Sequence, residues 1–267
     1  MIKFALTTAL FLVVLLSKAQ NFSKNAYGEG LSDAMSCQKG VYAIGYNPAG
    51  CENEKFAAIV SYFDRYQVKE ISQKSMGVVF PALNGCFSAD FNYHGFKLFN
   101  RILTGLGYQM KLSEKIKAGI KLNYHGLNLG NSEEKYHAVS GEIGFILSPI
   151  NRLELATYIK NPTNSQFSDL DTIIAVEFLT GIRYTFCEKN FAALDIEKSS
   201  LYDKISVKCA VSGSLNKKFD VQGGFSTFPF TVSVGAGLTF ERLKIKTAVR
   251  RNECLGYMPS VSLVFEM

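Results

Sequence analysis

Long hydrophobic runs are missing from this chain beyond its first 19 residues. No later segment offers 18 consecutive apolar residues, which is close to the minimum for a membrane-spanning helix. We therefore expect no transmembrane helix after the N-terminal segment. A chain of this kind that is exported is either a soluble protein or a β-barrel.

Motifs for catalysis and metal binding are also missing. The sequence has no G-x-S-x-G, P-loop or H-E-x-x-H motif, and its six cysteines show no C-x-x-C spacing. The three histidines, His94, His125 and His137, are far apart in the sequence, so each is interpreted as an interfacial or lumen-facing polar residue. These absences predict a protein that is not an enzyme and that binds no metal and no cofactor.

The charge is small and dispersed. Lys3 and Lys18 lie in the predicted signal, and without them 29 − 2 = 27 basic residues face 23 acidic ones, a net charge of +4. This excess is too small to indicate nucleic-acid binding. The mean hydropathy of +0.07 is high for a soluble protein and low for a helical membrane protein. A barrel with an apolar outer face and a polar lumen falls between the two.

Residues 1–19 have the pattern of a secretory signal peptide. Lys3 supplies the charged region, residues 4–16 supply an apolar stretch of about 13 residues, and Ala19 precedes the expected cleavage site. The alternative is an N-terminal anchor helix, which is disfavoured because the apolar stretch is too short to span a bilayer.

Residues 20–54 show neither a helix period nor a strand period. The segment contains five glycines, which permit tight turns and close backbone packing, and an Asn-Pro pair that favours a turn. Cys37 and Cys51 both lie here. Export would permit a disulfide between them, and the alternative is that both are small apolar fillers.

From residue 55 onward the sequence alternates with a period of two. Between residues 117 and 124, for example, Ala118, Ile120 and Leu122 lie on one face and polar residues or glycine on the other. The turns are short, which predicts consecutive antiparallel hairpins. We count about fourteen strands, with starts near residues 55, 67 or 74, 85, 97, 114, 135, 152, 172, 190, 203, 218, 230, 243 and 257. A phase slip near Leu179 and Thr180 predicts a β-bulge.

About fourteen strands are too many for a barrel whose interior is filled by its own side chains. The apolar faces must then point outward to lipid and the polar faces inward. The sequence therefore predicts an all-β, transmembrane, antiparallel up-and-down barrel over residues 55–267, with residues 20–54 as a hatch inside it. A kink in the barrel wall is most expected near Pro81 and Gly85, because proline has no backbone N–H to donate to the neighbouring strand.

The inward face carries charges of both signs, which are the candidate lumen residues. Charges of both signs indicate ion pairs across the lumen, around a plug. The alternative is an open pore whose wall mildly favours anions. The set comprises Lys117, Lys121, Glu142, Glu177, Arg183, Lys208, Lys244, Lys246 and Arg250.

The chain resembles the FadL superfamily of outer-membrane proteins, and more closely its PorV/PorQ-type branch from Bacteroidota. The resemblance rests on residues 26–30 (Ala-Tyr-Gly-Glu-Gly), residues 33–34 (Asp-Ala) and residues 45–50, followed by about fourteen strands. Cys51 departs from the family, which has an apolar residue after the motif, and the chain is short for the family. The hatch motif proper comprises Asn47, Pro48, Ala49 and Gly50.

The resemblance implies a location in the bacterial outer membrane, with lipid as a partner. It also implies an association with type IX secretion or surface attachment through secretion-system or surface proteins. The alternative is a FadL-type channel for uptake of hydrophobic or small solutes. The short loops leave little material for a hydrophobic ligand site.

Overall fold

The computed structural model describes residues 24–130, 135–167, 174–187, 190–253 and 255–267. The predicted signal peptide lies outside the described residues. Within the described ranges no helix is both long enough and apolar enough to cross a membrane.

Fourteen antiparallel strands form one closed barrel, as the sequence predicts. Each strand pairs with its neighbours in the chain, and the first pairs with the last to complete the ring. The strands are β1 (Ala57–Phe63), β2 (Gln73–Ala82), β3 (Gly85–Phe96), β4 (Phe99–Lys111), β5 (Ile116–Leu129), β6 (Lys135–Ile150), β7 (Leu153–Lys160), β8 (Glu177–Cys187), β9 (Asn190–Ser199), β10 (Ser206–Ser214), β11 (Phe219–Thr227), β12 (Phe230–Phe240), β13 (Leu243–Asn252) and β14 (Gly256–Glu266).

The alternation of the sequence decides which face each residue occupies. Leu106 on β4 lies opposite Leu122 on β5, and both point outward with 67% of their surface exposed. The intervening residues of β5, such as Lys121 and Asn123, point inward and are buried. Because successive side chains on a strand point to opposite faces, the pattern gives an apolar exterior and a polar lumen.

The two ends of the barrel differ. β1 begins and β14 finishes at the same end, where Ala57 pairs with Glu266. At this end, called the terminal end here, the described turns are short, such as residues 83–84, 151–152 and 241–242. The opposite end, called the loop end, carries the longer connections 64–72, 161–176 and 200–205, the first with a 3-10 helix at Lys69–Ile71.

Two details of the predicted strands are wrong, and both lie around β8. This strand begins at Glu177, and the predicted start near residue 172 lies outside the described residues. Ile174, which was predicted to belong to the strand, packs with Phe167 instead of continuing the sheet. There is no bulge at Leu179 and Thr180, where the pairing with β7 is continuous. Leu179 faces the lumen and Thr180 faces the exterior. At these two positions the apolar residue is inside and the polar residue outside, the reverse of the rest of the wall, but the strand register does not shift.

The wall is also continuous at the predicted weak point. β2 and β3 pair without a shift from Gln73 opposite His94 to Ala82 opposite Gly85. Pro81 lies next to the turn, where the ladder is ending. Register shifts occur instead between β6 and β7 after Leu147, and between β8 and β9 after residue 185, both close to the terminal end.

The outward position of Leu122 at the middle of β5 leads to a first prediction. We expect Leu122→Arg to lower the free energy of unfolding in lipid vesicles by about 2–4 kcal/mol, because arginine is costly at the midplane of a bilayer. Leu215→Arg is the matched control, since Leu215 lies in the β10–β11 turn at 68% exposure and should cost little. Denaturant titrations of vesicle-folded protein measure both, and equal costs would contradict a lipid-facing β5.

Candidate functional site: the hatch and the lumen

Residues 24–56 do not join the sheet but cross the lumen as a hatch. A short helix α1 (Ala26–Gly30) packs against β12 and β13, and the 3-10 helix Pro48–Gly50 packs against β5 and β6. β5 and β12 lie seven strands apart in the ring of fourteen, on opposite walls. A further 3-10 helix, Gly40–Ala43, contacts β1 and β2 between them.

The start of α1 is held by its own cap and by the barrel seam. Asn25 is the N-cap, and its Oδ1 accepts a hydrogen bond from Gly28 N at 2.8 Å. Ala26 N donates to Ser262 Oγ at 2.7 Å, and Ser262 in turn bonds Ser61 across the β1–β14 pair. The helix is therefore attached where the ring closes.

Asn47 organises the hatch motif. Its Oδ1 accepts a hydrogen bond from Ala49 N at 3.0 Å and caps the 3-10 turn, in which Pro48 takes the first position. Its Nδ2 donates to Ser36 O at 2.8 Å, which ties the turn to an earlier part of the hatch. The Asn-Pro pair thus forms a turn that is fully buried inside the barrel.

The turn lies directly on two glycines of the wall. Gly119 on β5 and Gly144 on β6 face each other across the ladder. A Cβ atom at Gly119 would overlap the Pro48–Ala49 peptide, and a Cβ at Gly144 would overlap the Asn47 side chain. The two glycines therefore form a groove in the inner wall that lets the hatch backbone approach closely.

Buried ion pairs hold the α1 side of the hatch. Arg250 Nη1 lies 2.8 Å from Asp33 Oδ2, and Arg250 Nε lies 3.5 Å from Glu29 Oε1. Arg65, in the β1–β2 loop, also lies 3.5 Å from Glu29. Burial by itself would raise the pKa of Asp33, but the charges of Arg250 and Lys208 outweigh it and hold that pKa well below its usual range.

The middle and end of the hatch are held by other wall residues. Asp195 accepts hydrogen bonds from both Ser36 N at 2.8 Å and Ser36 Oγ at 2.5 Å. Arg183 Nη1 donates to Cys37 O at 3.2 Å. Lys117 pairs with Glu52 at 2.5 Å near the exit of the hatch toward β1.

Each of the nine candidate lumen charges has a partner. Lys117, Arg183 and Arg250 bind the hatch. The other six pair within the wall: Lys121 with Asp90, Glu142 with Asn123, Glu177 with Lys160, Lys208 with Glu197, Lys244 with Glu266, and Lys246 with Asp220.

The two hatch cysteines do not form a disulfide. Cys37 and Cys51 are both free and buried. Cys37 packs with Ala49 and Ile146, and its Sγ lies 3.5 Å from the carbonyl oxygen of Glu154. Burial raises the pKa of both thiols to about 12, so they are unreactive fillers at neutral pH.

Two cavities that contain ionisable side chains lie on the loop side of the hatch. One, called the Arg250 cavity, has a volume of about 70 Å³ and also includes Asp33, Arg65 and Lys208 in its lining. The other, called the Arg101 cavity, has a volume of about 110 Å³ and lies against β3–β7. Glu177 borders both. Both linings combine apolar surface with several ionisable side chains, whereas a hydrophobic ligand site usually has only a few polar groups.

Two of the three histidines border the same cavity, and the third lies on the outer face. His94 and His125 both line the Arg101 cavity, and His125 Nε2 lies 2.8 Å from Ser140 Oγ. His137 is on the outer face, where Nδ1 lies 2.6 Å from the Tyr124 hydroxyl. In the described parts of the chain no group of three or more His, Cys, Asp or Glu side chains is arranged to hold a metal ion.

The glycine groove leads to a second prediction. We expect Gly144→Val to displace the Asn47 turn, because the new side chain occupies the space of the Asn47 amide, at a cost of about 1–3 kcal/mol for overpacking. Gly141→Val is the control on the same strand, because a Cβ there meets only the Lys121 carbonyl at 3.9 Å. Proteolytic cleavage within residues 24–54 of the folded protein should accelerate in the first variant alone. Equal rates would show that the turn does not depend on the groove.

Comparison with known proteins identifies the fold. No family model and no curated protein matches the chain. Similar solved structures include the Pseudomonas putida toluene transporter TodX, with 11% identity over 93% of this chain and 99% of that chain and a TM-score of 0.63. The monoaromatic hydrocarbon channel CymD has 10% identity over 92% and 98%, with a TM-score of 0.64.

The Ralstonia pickettii toluene transporter TbuX is similar to the same degree, with 10% identity over 91% of this chain and 98% of that chain and a TM-score of 0.61. Identities this low show a shared fold and nothing finer. The chain therefore has the fold of these outer-membrane channels, a closed antiparallel barrel of the FadL type.

Proposed function

We propose that this protein is an outer-membrane channel of the FadL type in which the hatch is the gate. The main support is that the hatch, which is not part of the sheet, occupies the lumen and is attached to the inner wall by side-chain contacts. A wall of fourteen strands is too wide to be filled by its own side chains, so movement of the hatch would open a passage. Ion pairs and hydrogen bonds such as Arg250 with Asp33 and Ser36 with Asp195 can be broken and remade without unfolding the sheet.

The proposal includes export directed by residues 1–19 and insertion into outer-membrane lipid. Support comes from the asymmetry of the barrel ends, because outer-membrane barrels have short periplasmic turns and longer outer loops. The terminal end is then periplasmic, and the two cavities open on the outer side of the hatch. A solute arriving from outside would meet these cavities first.

The solute that we propose is small and polar. The structural neighbours are described as toluene and monoaromatic hydrocarbon channels, but both cavities of this chain are lined by ionisable side chains. An apolar solute would have to displace water from these charges without replacing its hydrogen bonds, which is unfavourable.

A role in type IX secretion or surface attachment, which the PorV/PorQ-like resemblance implies, gains no support from the structural comparisons. No surface feature of the described residues favours it over transport. It is therefore not carried further as a second function.

The ion pairs of Arg250 give the test of the channel. Arg250→Ala leaves the carboxylates of Asp33 and Glu29 buried without this partner, a change that costs about 3–5 kcal/mol in other proteins. We expect the loss to fall on the hatch attachment and to raise the rate at which small solutes enter liposomes that contain the protein. Lys244→Ala is the control, because Lys244 pairs with Glu266 in the wall.

A disulfide tether shows whether the hatch itself is the gate. Ser32 Oγ and Ser233 Oγ are 2.5 Å apart, so cysteines at both positions lie within disulfide range. In the Arg250→Ala background the oxidised Ser32→Cys/Ser233→Cys protein should block solute entry, and reduction should restore it. The single variant Ser233→Cys should not respond. No permeation in any reduced variant rules out a channel, and permeation through the oxidised tether rules out the hatch as its gate.

A further inference from the structure

The lining of the Arg101 cavity has more basic than acidic side chains. Its lining includes four basic side chains, which are Lys24, Arg101, Lys121 and Lys160, and only two acidic ones, Glu142 and Glu177. The walls of the cavity come from the hatch and from strands on one side of the barrel. The balance of charge therefore depends on which of these groups are already paired.

Two of the four basic side chains are paired with carboxylates. Lys121 lies 2.7 Å from Asp90, which is outside the lining, and Lys160 lies 3.6 Å from Glu177. Glu142 accepts a hydrogen bond from the neutral amide of Asn123 at 2.7 Å, and its Oε2 has no hydrogen-bond partner. Glu142 is thus the one lining carboxylate without a paired cation.

Arg101 and Lys24 have no such partners. Across the described chain, neither the guanidinium of Arg101 nor the ammonium of Lys24 makes an ion pair or a hydrogen bond. Both side chains are half-buried and line the cavity. The Lys24 backbone is fixed, because its N–H donates to the Tyr46 hydroxyl at 3.0 Å and its carbonyl accepts from Ser75 Oγ at 2.7 Å.

The pKa of Lys24 reflects its burial and the basic side chains around it. Burial, together with the nearby ammonium groups of Lys160 and Lys121, lowers this pKa to about 7, so about half of the Lys24 side chains are charged at pH 7. An anion bound in the cavity would raise the pKa and favour the charged form of Lys24.

His125 also borders the cavity. Its Nε2 lies 2.8 Å from Ser140 Oγ, and its Nδ1 is enclosed by protein without a hydrogen-bond partner. The donors that the cavity offers are therefore Arg101 and Lys24. They suit an oxyanion, because guanidinium matches the oxygen pairs of carboxylate and phosphate.

We propose that the Arg101 cavity binds a small oxyanion, a carboxylate or phosphate, through Arg101 and Lys24. The cavity volume of about 110 Å³ limits the ligand to a small molecule. The proposal deepens the proposed function, since it names the class of solute that the outer side of the hatch receives.

The site is tested by direct binding to the full exported chain in detergent. Isothermal titration with inorganic phosphate and, separately, with succinate measures Kd for each anion. We expect saturable binding of at least one anion. The anion with the lower Kd shows whether the site prefers phosphate or carboxylate. Arg101→Gln and Lys24→Gln should each raise Kd about tenfold, as expected for losing a charged hydrogen bond.

Lys244→Gln is the matched control, because it removes one positive charge from a wall pair near the terminal end and should change Kd less than twofold. Arg101→Lys keeps the charge and provides the measurement if Arg101→Gln fails to fold. Absence of binding to both anions, or equal weakening in the Lys244 control, would overturn the site.

Binding in detergent requires neither a membrane nor movement of the hatch, so the two proposals fail separately. Saturable binding without permeation of Arg250→Ala liposomes would reject the channel and leave the site intact. Permeation without binding of either anion would reject the site and leave the channel intact.

Discussion

A ring of fourteen strands encloses more space than its inward side chains can fill, and the rest of the molecule depends on this constraint. An empty polar lumen would be filled by water and would conduct. In this chain the hatch occupies that space, with its helix on one wall and its Asn-Pro turn on the opposite wall. The wall is correspondingly polar inside, because it must bind a backbone with many exposed donors and acceptors.

Two kinds of contact fix the hatch. On the β5–β6 side the contact is steric, since Gly119 and Gly144 remove side chains where the backbone of the turn must pass. On the β13 side it is electrostatic, since Arg250 meets both Glu29 and Asp33. The first contact determines where the hatch lies, and the second determines how much energy its release requires.

The architecture could be predicted from sequence because it depends on a local pattern. Alternation and turn residues place twelve of the fourteen strand starts within about three residues, and the later of the two starts allowed for β2 is one residue from Gln73. β8 was misplaced because an apolar residue before it, Ile174, serves a loop cluster rather than the sheet. The inward charges could also be recognised from the alternation, but not their partners. Asp33 and Arg250 are 217 residues apart, and only the closed ring brings them together.

The glycine groove and the Arg101 cavity also depend on contacts that sequence spacing does not reveal. Gly119 and Gly144 were visible as inward-facing glycines, but their pairing across the ladder depends on the register of β5 and β6. Arg101 and Lys24 come from a strand and from the hatch, so their common cavity exists only after the hatch enters the lumen. The spacing of Arg101 and Lys24 in the sequence does not indicate that they line the same cavity.

The bond between Ala26 N and Ser262 has a consequence for the order of folding. The hatch precedes every strand in the chain, yet its first helix is attached to the last strand, 236 residues later. Closing a loop this long has a high entropic cost. The attachment of α1 at this point requires β14, so it depends on the last strand of the barrel. A chain lacking β14 would keep most of its wall and lose the register of its hatch.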